Sequence, residues 1–170
     1  MIRKTNHIMA IPLSLVLLLL LAASFALAAE KGKVTACEVM YATNYQSIPV
    51  GDVEGHMIFL YEAKGIAFWE PWGAALSKES GIGDRTKGLG SNEAYTIITY
   101  PDGSTITIKG KGVSKSAGSG KTGAGEGEST CTYVGGTGKF DGIQGGGTAK
   151  WWHLGPGQYY VDFEMDYTLP

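Results

Sequence analysis

The last segment of the chain, residues 158–169, alternates apolar and polar side chains more regularly than any other. A period of two places successive side chains on opposite faces of a β-strand. One face of this strand carries Asp162, Glu164 and Asp166. Burying three unpaired carboxylates would cost several kcal/mol each, so we predict that these acids face water and that the other face lines the interior. The predicted interior residues are Tyr159, Val161, Phe163, Met165, Tyr167 and Leu169.

Strand patterns continue through most of the chain after an apolar N-terminal run, and none of these segments shows a sustained 3.6-residue apolar period. The clearest hairpin joins residues 93–100 to residues 105–112 through "PDGS", in which the proline and the Asp-Gly pair favour a tight turn. Residues 34–44 predict a first strand, whereas residues 56–70 predict two short strands divided at Lys64-Gly65. Seven to nine short strands with regular turns indicate an all-β sandwich or closed barrel.

Glycines are concentrated in two segments with different expected roles. Residues 116–129 are rich in glycine and serine and predict a mobile loop. They also hold the nearest match to a phosphate-binding loop, "KSAGSGKT", but Lys115 stands where that motif requires its first glycine. For residues 131–154, glycines that bend the strands of a small barrel explain the sequence better than a phosphate-binding loop does. We predict positive φ at the Gly135-Gly136 turn. The predicted structural glycines are Gly135, Gly136, Gly138, Gly145, Gly146 and Gly147.

This glycine-rich stretch also carries a resemblance to a known family. "YVGGTGKFDGIQGGGT", residues 133–148, resembles the "GGTGKF" turn of the allene oxide cyclase and dirigent protein barrels, and still more that of their uncharacterised bacterial relatives. Residues 48–70, residues 95–112 and the C-terminal "YYVDFEMDYTLP" are similar in the same order. The resemblance implies a single eight-stranded antiparallel barrel of up-and-down type, with an apolar cavity open at one end. It does not carry over the plant enzymes' catalytic groups, because those stretches do not align.

The N-terminus resembles a cleaved export signal. Arg3 and Lys4 precede an apolar run that ends in Ala26-Leu27-Ala28, a small-residue pattern typical of signal peptidase sites. We predict a signal peptide at residues 1–28 and a β-barrel domain at residues 29–170, secreted or periplasmic after cleavage. An uncleaved membrane anchor is the minor alternative, because an apolar stretch of about 20 residues can span a bilayer.

Charge argues against nucleic acid as a partner. The formal net charge is −2, and removal of Arg3 and Lys4 with the signal makes it more negative. The remaining lysines are scattered singly and form no basic stripe, so neither nucleic acid nor a nucleotide is expected to bind. We expect no metal and no cofactor either, since one acidic strand offers too few converging oxygens for a hard cation.

The two cysteines, Cys37 and Cys131, allow two interpretations. In an oxidising compartment an even pair of cysteines can close a long loop as a disulfide. Alternatively they are two separate buried thiols, because a bridge requires Cα atoms within bonding distance. The sequence favours neither.

Two titratable residues on one strand are further candidates for the cavity wall. His56 and Glu62 share a face of the first of the two strands predicted in residues 56–70, and they either line the lumen or lie on the surface. No Ser-His-Asp or Cys-His arrangement indicates a nucleophile. The sequence leaves open three functions, and it does not decide whether the protein is an enzyme. They are a barrel that binds a small apolar or aromatic molecule, an isomerase or cyclase acting on such a molecule, and a module whose exposed aromatics contact a partner or a second copy.

Overall fold

The computed structural model describes residues 29–116 and 125–170, which form one closed β-barrel. Each strand pairs antiparallel with the next, and the last pairs with the first. The expected all-β, eight-stranded antiparallel barrel is therefore confirmed. The elements are β1 (Glu30–Pro49), β2 (His56–Glu70), β3 (Gly73–Thr86), β4 (Leu89–Thr99), β5 (Thr105–Ser116), β6 (Glu126–Thr137), a 3-10 turn (Gly138–Phe140), β7 (Gln144–Gly155) and β8 (Gln158–Leu169).

The N-terminal prediction and part of the loop prediction lie outside this description. Residues 1–28, the predicted signal peptide, are not among the described residues, and neither are residues 117–124 of the predicted mobile loop. Residues 126–129 of that loop belong to β6, so the predicted loop was too long at its C-terminal end. Within the described ranges, no helix has the length and apolar character needed to cross a membrane.

Two strands differ from their prediction. β2 runs without a break through Lys64-Gly65, so the predicted division into two strands is wrong. Gly65 instead lets β1 come close, because a Cβ at this position would overlap the carbonyl oxygen of Val39. β3 was not predicted at all, because its inward positions are small or polar and give no apolar alternation. These inward residues are Ala75, Ser77, Glu79, Gly81, Gly83 and Arg85.

A cluster of aromatic side chains fills one end of the barrel. The rings of Trp72 and Phe140 lie 4.9 Å apart between centroids, and those of Trp72 and Tyr167 lie 4.8 Å apart. Trp72, Tyr100 and Phe140 lie in or next to the β2–β3, β4–β5 and β6–β7 connections, which all meet at this end. We call Trp69, Trp72, Tyr100, Phe140 and Tyr167 the aromatic plug. Edge-to-face and offset ring contacts of this kind add to the stabilisation from apolar burial.

The glycine-rich segment connects β6 to β7 beside the plug, as the structural interpretation expected. Positive φ was predicted at Gly135 and Gly136, and this is wrong. It occurs instead at Gly138 (62°) and Gly145 (122°). Gly146 and Gly147 lie against the backbones of β6 and β8, where a Cβ would meet the carbonyl oxygens of Cys131 and Glu164 respectively. Because neither glycine has a side chain, β7 can lie this close to β6 and β8.

A matched pair of adjacent glycines tests this role. A Cβ at Gly136 would overlap the carbonyl oxygen of Phe140 and lie 2.9 Å from Cγ2 of Ile143, whereas nothing lies within 4 Å of a Cβ at Gly135. We expect Gly136→Ala to lower the free energy of unfolding by about 2 kcal/mol through overpacking. Gly135→Ala should leave it unchanged or raise it slightly, because alanine narrows the unfolded ensemble. Urea denaturation of both variants measures the difference, and equal effects would contradict the close-packing role.

The two cysteines are not bonded. Cys37 lies half-buried on the outer face of β1, while Cys131 is buried inside the barrel on β6. β1 and β6 are not neighbours in the sheet, and the barrel wall separates the two side chains. The disulfide interpretation is therefore wrong, and the alternative of two separate thiols is what the structure shows.

Candidate functional site

The barrel encloses a cavity of about 500 Å³ between the middle of the lumen and the end opposite the aromatic plug. This end carries the β1–β2, β3–β4 and β7–β8 connections, and we call it the mouth. Inward-facing side chains from all eight strands line the cavity. Aromatic rings form much of its wall, at Tyr45, Phe59, Tyr61, Trp151, Tyr159 and Phe163.

A carboxylate with three hydroxyl donors lies at the inner end of the cavity. Oε1 of Glu79 accepts hydrogen bonds from the Tyr61 hydroxyl at 2.7 Å and from the Tyr159 hydroxyl at 3.0 Å. Its Oε2 accepts one from the Thr96 hydroxyl at 2.8 Å. Burial, followed by the charge of Glu79, raises the pKa of both tyrosines well above the usual range, so both remain protonated donors. Donors from β2, β4 and β8 thus fix one acceptor group of β3 inside the lumen.

A second acid lies deeper, with its side chain completely buried. Glu38 on β1 accepts a hydrogen bond from the Ser77 hydroxyl at 3.3 Å, and its Oε1 has no partner. Burial raises the pKa of Glu38 to about 8, and the nearby charge of Glu79 adds to this shift. Glu38 is therefore a neutral carboxylic acid at neutral pH, because an ion without a partner is too costly in this environment.

The mouth of the cavity holds a cation between two rings. The guanidinium carbon of Arg85 lies 4.8 Å from the ring centroid of Phe59 and 5.3 Å from that of Trp151. Burial lowers the pKa of Arg85, although a guanidinium stays charged at any physiological pH. His153 lines the same region, and burial followed by the charge of Arg85 lowers its pKa. His153 is therefore neutral at neutral pH, and Arg85 supplies the positive charge at the mouth.

The structure divides the predicted interior face of β8 between two regions. Tyr159, Val161 and Phe163 line the cavity. Met165 and Tyr167 are also buried, but they lie toward the plug end and do not border the cavity. Leu169 is half-buried and packs against the core. The three acids, Asp162, Glu164 and Asp166, are exposed on the outer face.

His56 and Glu62 lie on the outside, so of the two alternatives left open by the sequence the structure shows the surface position and not the lumen. Glu62 is exposed with Ile58 and Leu60, because the inward face of β2 is the one that carries Phe59 and Tyr61. His56 sits at the start of β2, where Nδ1 is 2.6 Å from Oδ1 of Asp52 and Nε2 is 2.8 Å from Oδ1 of Asp84. It joins the β1–β2 connection to β3 and takes no part in the cavity.

The hydrogen bonds of His56 should make the stability of the β1–β2 connection depend on pH. Hydrogen bonds to Asp84 and Asp52 raise the pKa of His56 above 6.5, so the charged form stabilises the folded connection below that pH. The stabilisation is lost as the pH rises through the raised pKa. We expect the hydrogen-exchange protection factors of the Val53 and His56 amides to fall over this range in the wild type. His56→Gln should show no such fall, and an unchanged pH profile in both proteins would contradict the role of the ion pair.

The polar groups inside the barrel are the part of the site that the sequence did not reveal. The resemblance implied an apolar cavity, and this is wrong at Glu79 and Arg85, with Glu38 below them. Glu38 and Glu79 interrupt runs of small or apolar inward residues, and Arg85 is the last inward residue of β3. The alternation Val34, Ala36, Glu38, Met40 on β1 is the one signal that could have placed an acid inside.

Comparison with known proteins adds no family assignment. No protein-family model matches the sequence, and no curated protein matches it. Within residues 29–116 and 125–170, no group of three or more His, Cys, Asp or Glu side chains is placed to hold a metal ion. The fold is thus an eight-stranded antiparallel barrel, and the resemblance to the allene oxide cyclase and dirigent barrels stays a prediction.

Proposed function

We propose that this protein is an exported barrel, similar to the allene oxide cyclase and dirigent barrels, that binds a small apolar or aromatic molecule in its lumen. The cavity of about 500 Å³ carries the proposal, because its volume lies in the range of small-molecule sites. Its wall is mainly aromatic and its few polar groups converge from different strands, which is typical of sites that fix one ligand orientation. The aromatic plug leaves the mouth as the route of entry.

The conformational cost of binding is small in such a site. The rings of Tyr45 and Phe59 stack at 5.6 Å, and those of Phe59 and Tyr61 lie 6.1 Å apart. Rings held by their neighbours lose little freedom when a ligand packs against them, so burial of its apolar surface contributes more fully to affinity. A flat or elongated apolar molecule fits this wall better than a sugar phosphate does.

An isomerase or cyclase is the second candidate, favoured by one observation. Glu79 points into the cavity with two protonated tyrosines on the same oxygen, an arrangement that can orient a polar group of a ligand or accept a proton from it. Binding without conversion remains our proposal. The enzyme would be favoured if the wild type converts a bound ligand, and if Glu79→Gln abolishes this turnover but still binds the ligand with the same affinity. The interaction module is the third candidate: Phe68 and Leu76 are exposed on the outer face, whereas Trp152 packs on Tyr160 of the same chain, 4.6 Å between ring centroids.

The test is native mass spectrometry of protein purified from its own host, with a variant that fills the cavity. Gly110 lines the cavity, and a Cβ there would meet only Sγ of Cys131 at 3.8 Å and Cβ of Ser129 at 4.0 Å. The Cβ of Gly110→Ile therefore meets no backbone atom, and its side chain takes up space in the lumen. We expect a co-purified small molecule on the wild type and its loss from Gly110→Ile.

The neighbouring position provides the control. Lys111 lies on the outer face of β5, so Lys111→Ile should keep the bound molecule. If the wild type carries nothing and takes up no apolar probe, or if Gly110→Ile binds as the wild type does, the lumen is not the binding site.

A further inference from the structure

Arg85 is a half-buried cation that no acid neutralises within the part of the chain that the structure describes. Within residues 29–116 and 125–170 the ion pairs all involve other cations. The remaining residues, 1–28 and 117–124, contain no aspartate or glutamate, so they have no carboxylate to offer. The Nε atom of Arg85 is buried and makes no hydrogen bond. A guanidinium in this environment normally has a carboxylate partner, because desolvation of an unpaired charge is costly.

The two aromatic contacts of Arg85 hold the side chain without satisfying its donors. Phe59 and Trp151 each lie within cation–π distance of the guanidinium carbon. Such contacts use the ring faces as a weak counter-charge and restrict the side chain, while the N–H groups at the edge of the guanidinium need oxygen acceptors. A planar fork of N–H donors held in place is the arrangement that binds an oxyanion through two parallel hydrogen bonds.

The inner face of β3 separates this cation from the acid deeper in the lumen. Glu79 and Arg85 are six positions apart on the strand, which corresponds to about 20 Å. The inward positions between them are Gly81 and Gly83, and the rings of Tyr61 and Phe59 lie over these two glycines. A molecule that enters the mouth thus meets a positive group first, then aromatic rings, and finally an acceptor with tyrosine hydroxyls.

We propose that Arg85 anchors the anionic group of an amphipathic ligand whose apolar or aromatic body lies in the barrel cavity. The inference rests on the proposed ligand-binding function and defines its ligand class as an apolar molecule with an oxyanion, a carboxylate, sulfate or sulfonate, at one end. The anion remains at the mouth beside Arg85, and the apolar body extends toward Tyr61 and Tyr159. The opposite orientation would bring the anion next to Glu79, where like charges repel.

Two probes that differ in a single sulfonate test this proposal. We would titrate the purified protein with 8-anilino-1-naphthalenesulfonate and with N-phenyl-1-naphthylamine, the same ring system without the charge, and follow probe fluorescence. The wild type should bind the sulfonate at least about tenfold more tightly, and added NaCl should reduce this preference. Arg85→Met should weaken sulfonate binding by about tenfold and leave the neutral probe unchanged.

The control variant and the remaining outcomes separate this proposal from the one on which it rests. Lys64→Met removes an exposed cation from the outer face of β2 and should change neither titration. If the wild type binds neither probe, the proposed function itself fails. If the wild type binds both probes equally, or if Arg85→Met weakens both equally, the lumen is a binding site and the role of Arg85 is wrong. Should Arg85→Met fail to fold, the wild-type preference and its salt dependence still decide.

Discussion

Replacing Phe163 with lysine should lower the free energy of unfolding by more than about 4 kcal/mol. The side chain of Phe163 is 5 % exposed, and its ring lies 5.3 Å from that of Trp69 between centroids. The substitution removes a buried ring and places an ammonium group in an apolar core cluster with Trp69 and Val161. Urea denaturation followed by circular dichroism measures the loss, and a barrel that does not fold at all is the same result at its limit.

The next residue along the strand is the matched control. Glu164 is exposed on the outer face of β8, so Glu164→Lys should change the free energy of unfolding by no more than about 0.5 kcal/mol. The pair tests the alternation itself, since both variants gain a lysine at adjacent positions. Equal stability of the two variants would contradict the inward orientation of Phe163.

The buried acid Glu38 should make the barrel less stable as the pH rises. Its pKa is about 8 in the folded protein and 4.5 for an exposed side chain. Between these values the native state holds a proton that the unfolded chain releases, so stability is greatest at low pH and is lost as the pH rises through 8. A shift of this size corresponds to a loss on the order of 3 kcal/mol between about pH 5 and about pH 8.

Glu38→Gln should remove this pH dependence while keeping the shape of the neutral carboxyl group. We expect the variant to be more stable than the wild type at about pH 8 and to show little gain at about pH 5, in urea denaturation at both values. Glu62→Gln, on the outer face of β2, is the control and should follow the wild type. A wild type and a Glu38→Gln variant with parallel pH profiles would mean that Glu38 is not buried as a neutral acid.

The fold was predictable where side-chain alternation and turn chemistry agree. Alternation identified β8, and alternation together with the "PDGS" turn identified the β4–β5 hairpin, although β4 begins at Leu89 and not at residue 93. The prediction failed at Gly65, where a glycine that admits a neighbouring strand has the same appearance in the sequence as a glycine that ends one. It failed again at β3, whose glycines face the rings of β2. A pattern along one strand does not contain the shape of the strand beside it.

The candidate site was predictable only in its apolar part. The sequence identified the inward face of β8 because water contact and packing divide that strand cleanly. Glu79 and Arg85 follow no such rule, since each is tolerated inside only through partners on other strands: tyrosines for Glu79 and rings for Arg85. Tyr61 and Phe59 lie on the adjacent strand β2, whereas Tyr159 and Trp151 come from β8 and β7, which only the closed barrel brings opposite β3. His56 and Glu62 have residue types suited to a binding site, but they lie on the outer face of β2, because its inward face is the one that carries Phe59 and Tyr61.

The pairing of β1 with β8 also constrains when the protein can fold. In this pairing, residues near the start of the barrel lie opposite residues near its end, as Glu30 does opposite Leu169. During synthesis β1 therefore cannot pair with β8 until the end of the chain has been made. Until then one edge of β1 and one edge of the growing sheet are unpaired and exposed to other chains. Contacts of such long sequence separation make closure slow compared with hairpin formation. A chain that cannot close early stays open for longer, and this delay is the interval in which it is most prone to aggregate.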